Sequence, residues 1–181
     1  PSSELKPISC TPGKFEQSRI NKITLIDSLD TLYIMKNYTE FYRGIERLRS
    51  SKIFNKDENV SVFETNIRAL GGLLGAHFLA LEGKNDNVKV PVHDILNSLG
   101  NVKNYRDETQ HPDNNKICHV NGTNHLCAGG SIHNGSVYYN YDGCLLRMCM
   151  ELGRKFIPAF DTNTAIPYGT VNLMRGVPKG G

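Results

Sequence analysis

The run VSVFETNIRALGGLLGAHFLA, residues 60–80, constrains the fold more than any other stretch of the chain. Phe63, Ile67, Leu70 and Leu74 recur at helical spacing, while Gly71, Gly72 and Gly75 leave little side-chain bulk on another face. A glycine inside a helix costs roughly 1 kcal/mol relative to alanine. Three together predict a neighbouring helix packed very closely against this one. The most apolar part, residues 69–81, is too short to span a bilayer and contains His77.

Helical periodicity also marks the sequence on either side. Thr24 to Met35 reads as a helix in which Leu25, Leu29 and Leu32 form one apolar stripe. Thr39 is a reasonable N-cap for a second helix, in which Phe41, Ile45 and Leu48 face inward and the Arg and Glu residues outward. Residues 50–59 form a polar loop. Residues 84–140 are rich in Asn, Gly, His and Asp and show little periodicity, which predicts a long irregular surface insertion with one short helical segment at Val92 to Leu99. The helix pattern returns at Tyr141 to Phe156 through Leu145, Met148 and Leu152, and Pro158 is expected to end it. Residues 165–173 read as an extended loop. The expected class is all-α, built of antiparallel helix pairs, with residues 1–181 forming part of a single domain.

A formal charge of +3 with scattered Lys and Arg gives no basic stripe, so no nucleic-acid partner is expected. The first residues lack the basic and apolar regions of a signal peptide, and both ends look cut, so a piece of a longer protein is expected. Asn37, Asn59, Asn121 and Asn134 each open an Asn-x-Ser/Thr acceptor sequence, which points to a secretory, oxidising compartment. The five cysteines match no common metal-site spacing. Cys118 and Cys127 bracket a polar loop that a disulfide could close, with zinc ligation alongside His119 and His125 as the lesser alternative. Cys144 and Cys149, five apart on a predicted helix, read as buried thiols.

Few residues carry chemistry. Glu64 and Arg68 lie four apart on the central helix and project from one face. They are either an exposed ion pair contributing a few tenths of a kcal/mol, or a pocket carboxyl with a guanidinium that orients it or a sugar hydroxyl. Asp27 and Asp30 sit among leucines on the first helix. Such charges are costly to bury unpaired, and Arg68 is one candidate partner for Asp27. There is no Gly-x-Ser-x-Gly elbow, phosphate-binding glycine loop or His-Glu-x-x-His pair, and the histidines fall mostly in the insertion.

At these residues the chain resembles glycoside hydrolase family 47, the class I α-mannosidases. Four blocks in the family's order carry the resemblance: Glu4-Leu5-Lys6-Pro7, LIDSLDTLYIM at 25–35, VSVFETNIRALGGLLGAHFLA at 60–80 and IPAFDTNTAIPYGTVNL at 157–173. The third and fourth are closest to the ER degradation-enhancing α-mannosidase-like branch. The resemblance implies the N-terminal part of an (α/α)7 barrel. It also implies calcium-dependent, inverting hydrolysis of terminal α-1,2-linked mannose from high-mannose N-glycans, in glycoprotein quality control in the endoplasmic reticulum. Glu64 would be the catalytic proton donor, with Arg68 and Asp27 binding substrate. The second essential Asp, the base Glu and the calcium-binding Thr are expected beyond residue 181, so no metal ligand is assigned within the chain. Ser3 stands where the family usually has Asp, and the insertion exceeds the family's usual connection. The resemblance further implies a lumenal or secretory protein, with membrane anchoring through another segment and a disulfide-linked redox partner both open. A mannosidase-like lectin that binds glycans without cleaving them is the alternative, and the 181 residues alone are expected to be inactive and poorly folded.

Overall fold

In a computed structural model the described residues are 4–13, 19–85, 88–92, 95, 117–119, 126–133 and 136–177. Ser3, the Asn121 and Asn134 acceptor sites and most of the predicted segment Val92 to Leu99 lie outside them, although Val92 and Ile95 are both buried. The described framework is mostly helical, as the all-α expectation requires. A short hairpin, β1 (Glu4–Lys6) with β2 (Thr11–Gly13), leads to α1 (Ile23–Ile34) and α2 (Tyr38–Arg49). Next, β3 (Asn59–Ser61) runs directly into one continuous helical segment. That segment is α-helical at Val62–Glu64 (α3), π-helical at Thr65–Gly71 and α-helical again at Gly72–Asn85 (α4). The last helix is α5 (Cys144–Phe160).

α4 packs against α1 on one side and α5 on the other, and α2 covers α1. Ile23, Ile26 and Leu29 of α1 are buried against Phe41, Ile45 and Leu48 of α2 and against Ala69, Leu73 and Ala76 of the central helix. The buried line on α1 thus runs through the isoleucines, and Leu25 and Leu32 of the predicted stripe are only partly covered. On the central helix the inward face is Val62, Thr65, Ala69, Leu73, Ala76 and Ala80. Small residues line it because the helices approach closely. A Cβ on Gly72 would stand 2.8 Å from Ile26 Cγ2 of α1, whereas one on Gly75 would meet nothing within 4 Å. Close approach therefore accounts for one glycine of the cluster. Phe63 and Ile67, read as part of the repeating apolar stripe, stand out at 69% and 54% exposure.

α2 begins two residues earlier than predicted. Asn37, not Thr39, is the N-cap, and its side-chain oxygen accepts from the Glu40 amide at 3.4 Å. At the other end, Lys22 Nζ donates to the Arg47 carbonyl at 2.6 Å, placing a cation on the final turn of α2 and tying it to the start of α1. The expectation that all Glu and Arg of α2 face outward fails at Glu46, which is 1% exposed. Its burial is made possible by Tyr139, whose hydroxyl donates to Glu46 Oε1 at 2.6 Å, and by Arg49 at 3.3 Å.

Two further corrections concern strands. Residues 84–140, read as irregular, contain a three-stranded antiparallel sheet of β4 (Ile117–His119), β5 (Leu126–His133) and β6 (Ser136–Asn140). It is anchored to the helices through β6, where Tyr139 is buried and its amide donates to the Val90 carbonyl at 2.8 Å. The tail, read as a loop, forms β7 (Thr170–Asn172), antiparallel to β3 in the register Asn59↔Asn172, Val60↔Val171 and Ser61↔Thr170. Pro158 lies inside the last turn of α5, which continues to Phe160; α5 itself starts at Cys144 rather than Tyr141. As predicted, Cys144 and Cys149 are free and buried, and burial pushes both thiols up to about 11. Among the described residues no helix is long and apolar enough to cross a membrane.

Candidate active site

The blocks at 25–35, 60–80 and 157–173 converge around the start of the central helix. Ser61 ends β3 and caps the helix, its Oγ accepting from the Glu64 amide at 3.3 Å. Glu64 thus occupies the position of a capping-box glutamate. Among the described residues, though, its carboxylate makes neither the return bond to the Ser61 amide nor an ion pair, and it remains half-buried. The carboxylate is therefore not committed to holding the helix end together.

Directly after Glu64 the backbone changes from α to π over Thr65–Gly71. π-Helical turns are uncommon, and they occur frequently at functional sites. Arg68 lies within this turn. It is not paired with Glu64: Arg68 Nε donates to Asp27 Oδ2 on α1 at 3.0 Å, and its Nη2 donates to the same oxygen. The candidate partnership of Asp27 with Arg68 thus exists in the fold. The two side chains keep 31% and 26% exposure, so the pair is partly wet. Asp30, one turn along α1, is exposed and accepts from the Thr31 amide at 2.7 Å, a local role away from the pair.

The block at 157–173 acts through β7, a contribution that sequence inspection missed. Asn172 is buried, and its Nδ2 donates to Asp57 Oδ1 and Asn59 Oδ1, each at 2.8 Å. Its Oδ1 accepts from the Met174 and Arg175 amides at 2.9 Å each. Arg175 also donates to Asp57 at 2.8 Å, and these bonds hold the Asp57 carboxyl below its ordinary range, the Asn172 bond being the largest cause. The Val62 amide donates to the Gly169 carbonyl at 3.0 Å, so β7 and the residue before it fix the strand from which Glu64 is launched. Asn172 is a polar residue in its strand, yet its position alone does not announce a partner more than a hundred residues earlier.

Among the described residues no cluster of His, Cys, Asp and Glu could hold a metal ion.

The family model described as glycosyl hydrolase family 47 matches residues 1–180. Human ER degradation-enhancing alpha-mannosidase-like protein 2 is 37% identical over 184 residues, covering 99% of this chain and 22% of the relative. Human mannosyl-oligosaccharide 1,2-alpha-mannosidase IB is 42% identical over 180 residues, covering 98% of this chain and 19% of the relative. Alpha-mannosidase I MNS4 of Arabidopsis thaliana is 32% identical over 183 residues, covering 99% and 20%. The chain thus spans about a fifth of the length of the curated relatives it matches.

Proposed function

Because the chain belongs to glycosyl hydrolase family 47, we propose that the protein trims mannose from high-mannose N-glycans in the endoplasmic reticulum or secretory pathway, with Glu64 as its proton donor. The observation that carries this reading is the uncommitted Glu64 carboxylate at the junction of an α and a π turn, next to the partly wet Asp27–Arg68 pair. In an inverting reaction one carboxylic acid protonates the departing glycosidic oxygen while a second carboxylate, on the other face of the sugar, activates water. Glu64 takes the first role. Arg68, held by Asp27, lies beside the sugar, and Asp27 accepts from a sugar hydroxyl through its second oxygen. Planar, bidentate donors suit vicinal hydroxyls as they suit carboxylates.

The base carboxylate and the calcium site belong to other parts of the same catalytic domain. Residues 1–181 form a part of that domain, with residues 84–140 as an insertion in it, and by themselves do not cleave. Phe78, Met150, Ile157 and Phe160, all at least half exposed, are large apolar side chains that further helices of such a domain would cover. The names of the relatives support α-1,2-linked mannose as the substrate and glycoprotein degradation as the setting.

Glu64→Gln in the whole protein tests the assignment. It keeps the shape and removes the acid, and loss of a general acid costs about 10²–10⁴-fold in rate. Mannose release should fall by that factor with an unchanged melting temperature. Unchanged trimming would sink the assignment. Glycan binding without trimming in both wild type and variant would establish the lectin reading instead.

A further inference from the structure

The sheet of the 84–140 region places its two cysteines opposite one another. In the pairing of β4 with β5, Cys118 faces Cys127, flanked by Ile117↔Ala128 and His119↔Leu126. Directly opposed residues in an antiparallel ladder have Cα atoms about 4.5 or 5.5 Å apart, depending on whether the pair is hydrogen-bonded. Both separations fall inside the roughly 4.4–6.8 Å window that a disulfide requires. A slip of one residue in register would put the two positions on opposite faces of the sheet and forbid the bond. We propose that Cys118 and Cys127 form a structural cross-strand disulfide that fastens β4 to the rest of the sheet.

The other cysteines are accounted for elsewhere. Cys10 is exposed beside the β1–β2 hairpin, and Cys144 and Cys149 are buried on α5, all three free. The mechanical need is also local. Among the described residues β4 is three residues long, lies at the sheet edge and pairs with β5 alone, whereas the sheet is anchored to the helices at its opposite edge through Tyr139 of β6. Short strands of that kind are marginal without further support. Zinc ligation by the same cysteines with His119 fits this register less well. Neighbouring residues in a strand fall on opposite faces, so Cys118 and His119 cannot both belong to a tetrahedral site on one face.

The bond forms by exchange with a protein disulfide donor of an oxidising compartment. One cysteine thiolate attacks a donor sulfur to give a mixed disulfide. The second thiolate then displaces the donor, which leaves with both electrons as a dithiol. The compartment rests on the reading of the protein given above; the pairing itself does not.

The test has two arms. The protein isolated from cells, with free thiols alkylated before non-reducing digestion and mass spectrometry, should yield the Cys118 and Cys127 peptides joined and lacking two hydrogens. Cys10, Cys144 and Cys149 should be alkylated after denaturation. The purified, reduced protein equilibrated with glutathione buffers of rising oxidising power should close the same bond internally, and Cys118→Ser should leave Cys127 as a mixed disulfide with glutathione. A bond that closes in buffer but is absent from cellular protein supports the pairing and overturns the secretory placement. Failure to close in buffer, linkage of either cysteine to a third, or stoichiometric zinc protecting both thiols overturns the proposal.

Discussion

Asp27 and Arg68 meet where α1 crosses the π-helical turn, while Glu46, Arg49 and Tyr139 meet beneath β6, with Asp142 at the exposed rim of that second cluster. Both are carboxylate–guanidinium clusters on the same helical framework, but they differ in their water. The first pair keeps about a quarter to a third of its surface. In the second, Glu46 is 1% exposed and its Oε2 has no hydrogen-bond partner. Burial accordingly holds the Glu46 carboxyl above its ordinary range despite the Arg49 charge and the Tyr139 bond. The dry centre commits the Tyr139 hydroxyl to Glu46, because breaking that bond would leave a further buried oxygen unpaired. A wet pair can exchange a bond with water for one with a ligand at little cost. The dry cluster ties the 84–140 sheet to the helices, and the wet pair is the one proposed to serve a sugar.

That contrast is broken most directly by cutting one bond at each place. Tyr139→Phe removes the hydroxyl donor from buried Glu46 and should destabilise the protein by about 1–3 kcal/mol, measured by chemical or thermal unfolding, without touching the Glu64 chemistry. Asp27→Asn at the wet pair should cost less than about 1 kcal/mol of stability while lowering mannose release. If Asp27→Asn proves the more destabilising of the two, the assignment of one cluster to structure and the other to substrate is wrong.

Much of this division escapes inspection of the sequence. The helices were legible because Ile, Leu and Phe recur at helical spacing over a dozen residues or more, and Glu64 and Arg68 stood out as charges in such a run. The partners were legible only in part: Asp27 and Arg68 were candidates for each other, but so were Glu64 and Arg68. A spacing of four suggests that Arg68 pairs with Glu64, yet it turns to Asp27 on a different helix, and nothing local to residues 64–68 encodes that choice. Glu46 lies on a helix face that otherwise reads as solvated, and its burial depends on a tyrosine more than ninety residues later. The strands were missed for a simpler reason. β3, β4 and β7 are three residues each, too short for alternation to register, and β5 carries two adjacent glycines.

The glycine cluster gives a sharper version of the same lesson, since three similar residues sit in different surroundings. Gly72 has ordinary helical angles, so alanine there gains helix propensity of up to about 1 kcal/mol. Its new methyl must nevertheless displace the stiff, β-branched Ile26, for which overpacking typically costs about 1–3 kcal/mol. Gly72→Ala should therefore be net destabilising by about 1 kcal/mol. Gly75→Ala, with open space around its Cβ, should stabilise by up to about 1 kcal/mol. Unfolding midpoints that move the same way in both variants would show that close contact with α1 does not explain Gly72.

The smallest effect expected is a pH dependence with two opposing parts, one from Asp142 at the exposed rim of the second cluster and one from Glu46 at its dry centre. Asp142 accepts from Arg147 Nη2 and Arg49 Nη2, each at 2.6 Å, and from the Cys144 amide at 3.1 Å. Although burial opposes it, the net effect of these bonds and charges is to hold its carboxyl below the ordinary value. Its contribution is thus fully present above the unfolded-state value and is lost as the pH falls through the lowered folded value. Glu46 works in the other direction. Its folded value is raised, so the folded state keeps a proton that the unfolded state releases, and stability declines as the pH climbs from the ordinary carboxylate range toward that raised value. Melting temperature should therefore rise on leaving strong acid and then sag. Because Asp142 is about a third exposed, its part is screened and should amount to no more than about 1 kcal/mol. Asp142→Asn should reduce the acid-side rise, to which Asp57 also contributes, and leave the sag, whereas Glu46→Gln should remove the sag and leave the rise. An acid-side rise that is unchanged in Asp142→Asn, or a sag that is unchanged in Glu46→Gln, would overturn that attribution.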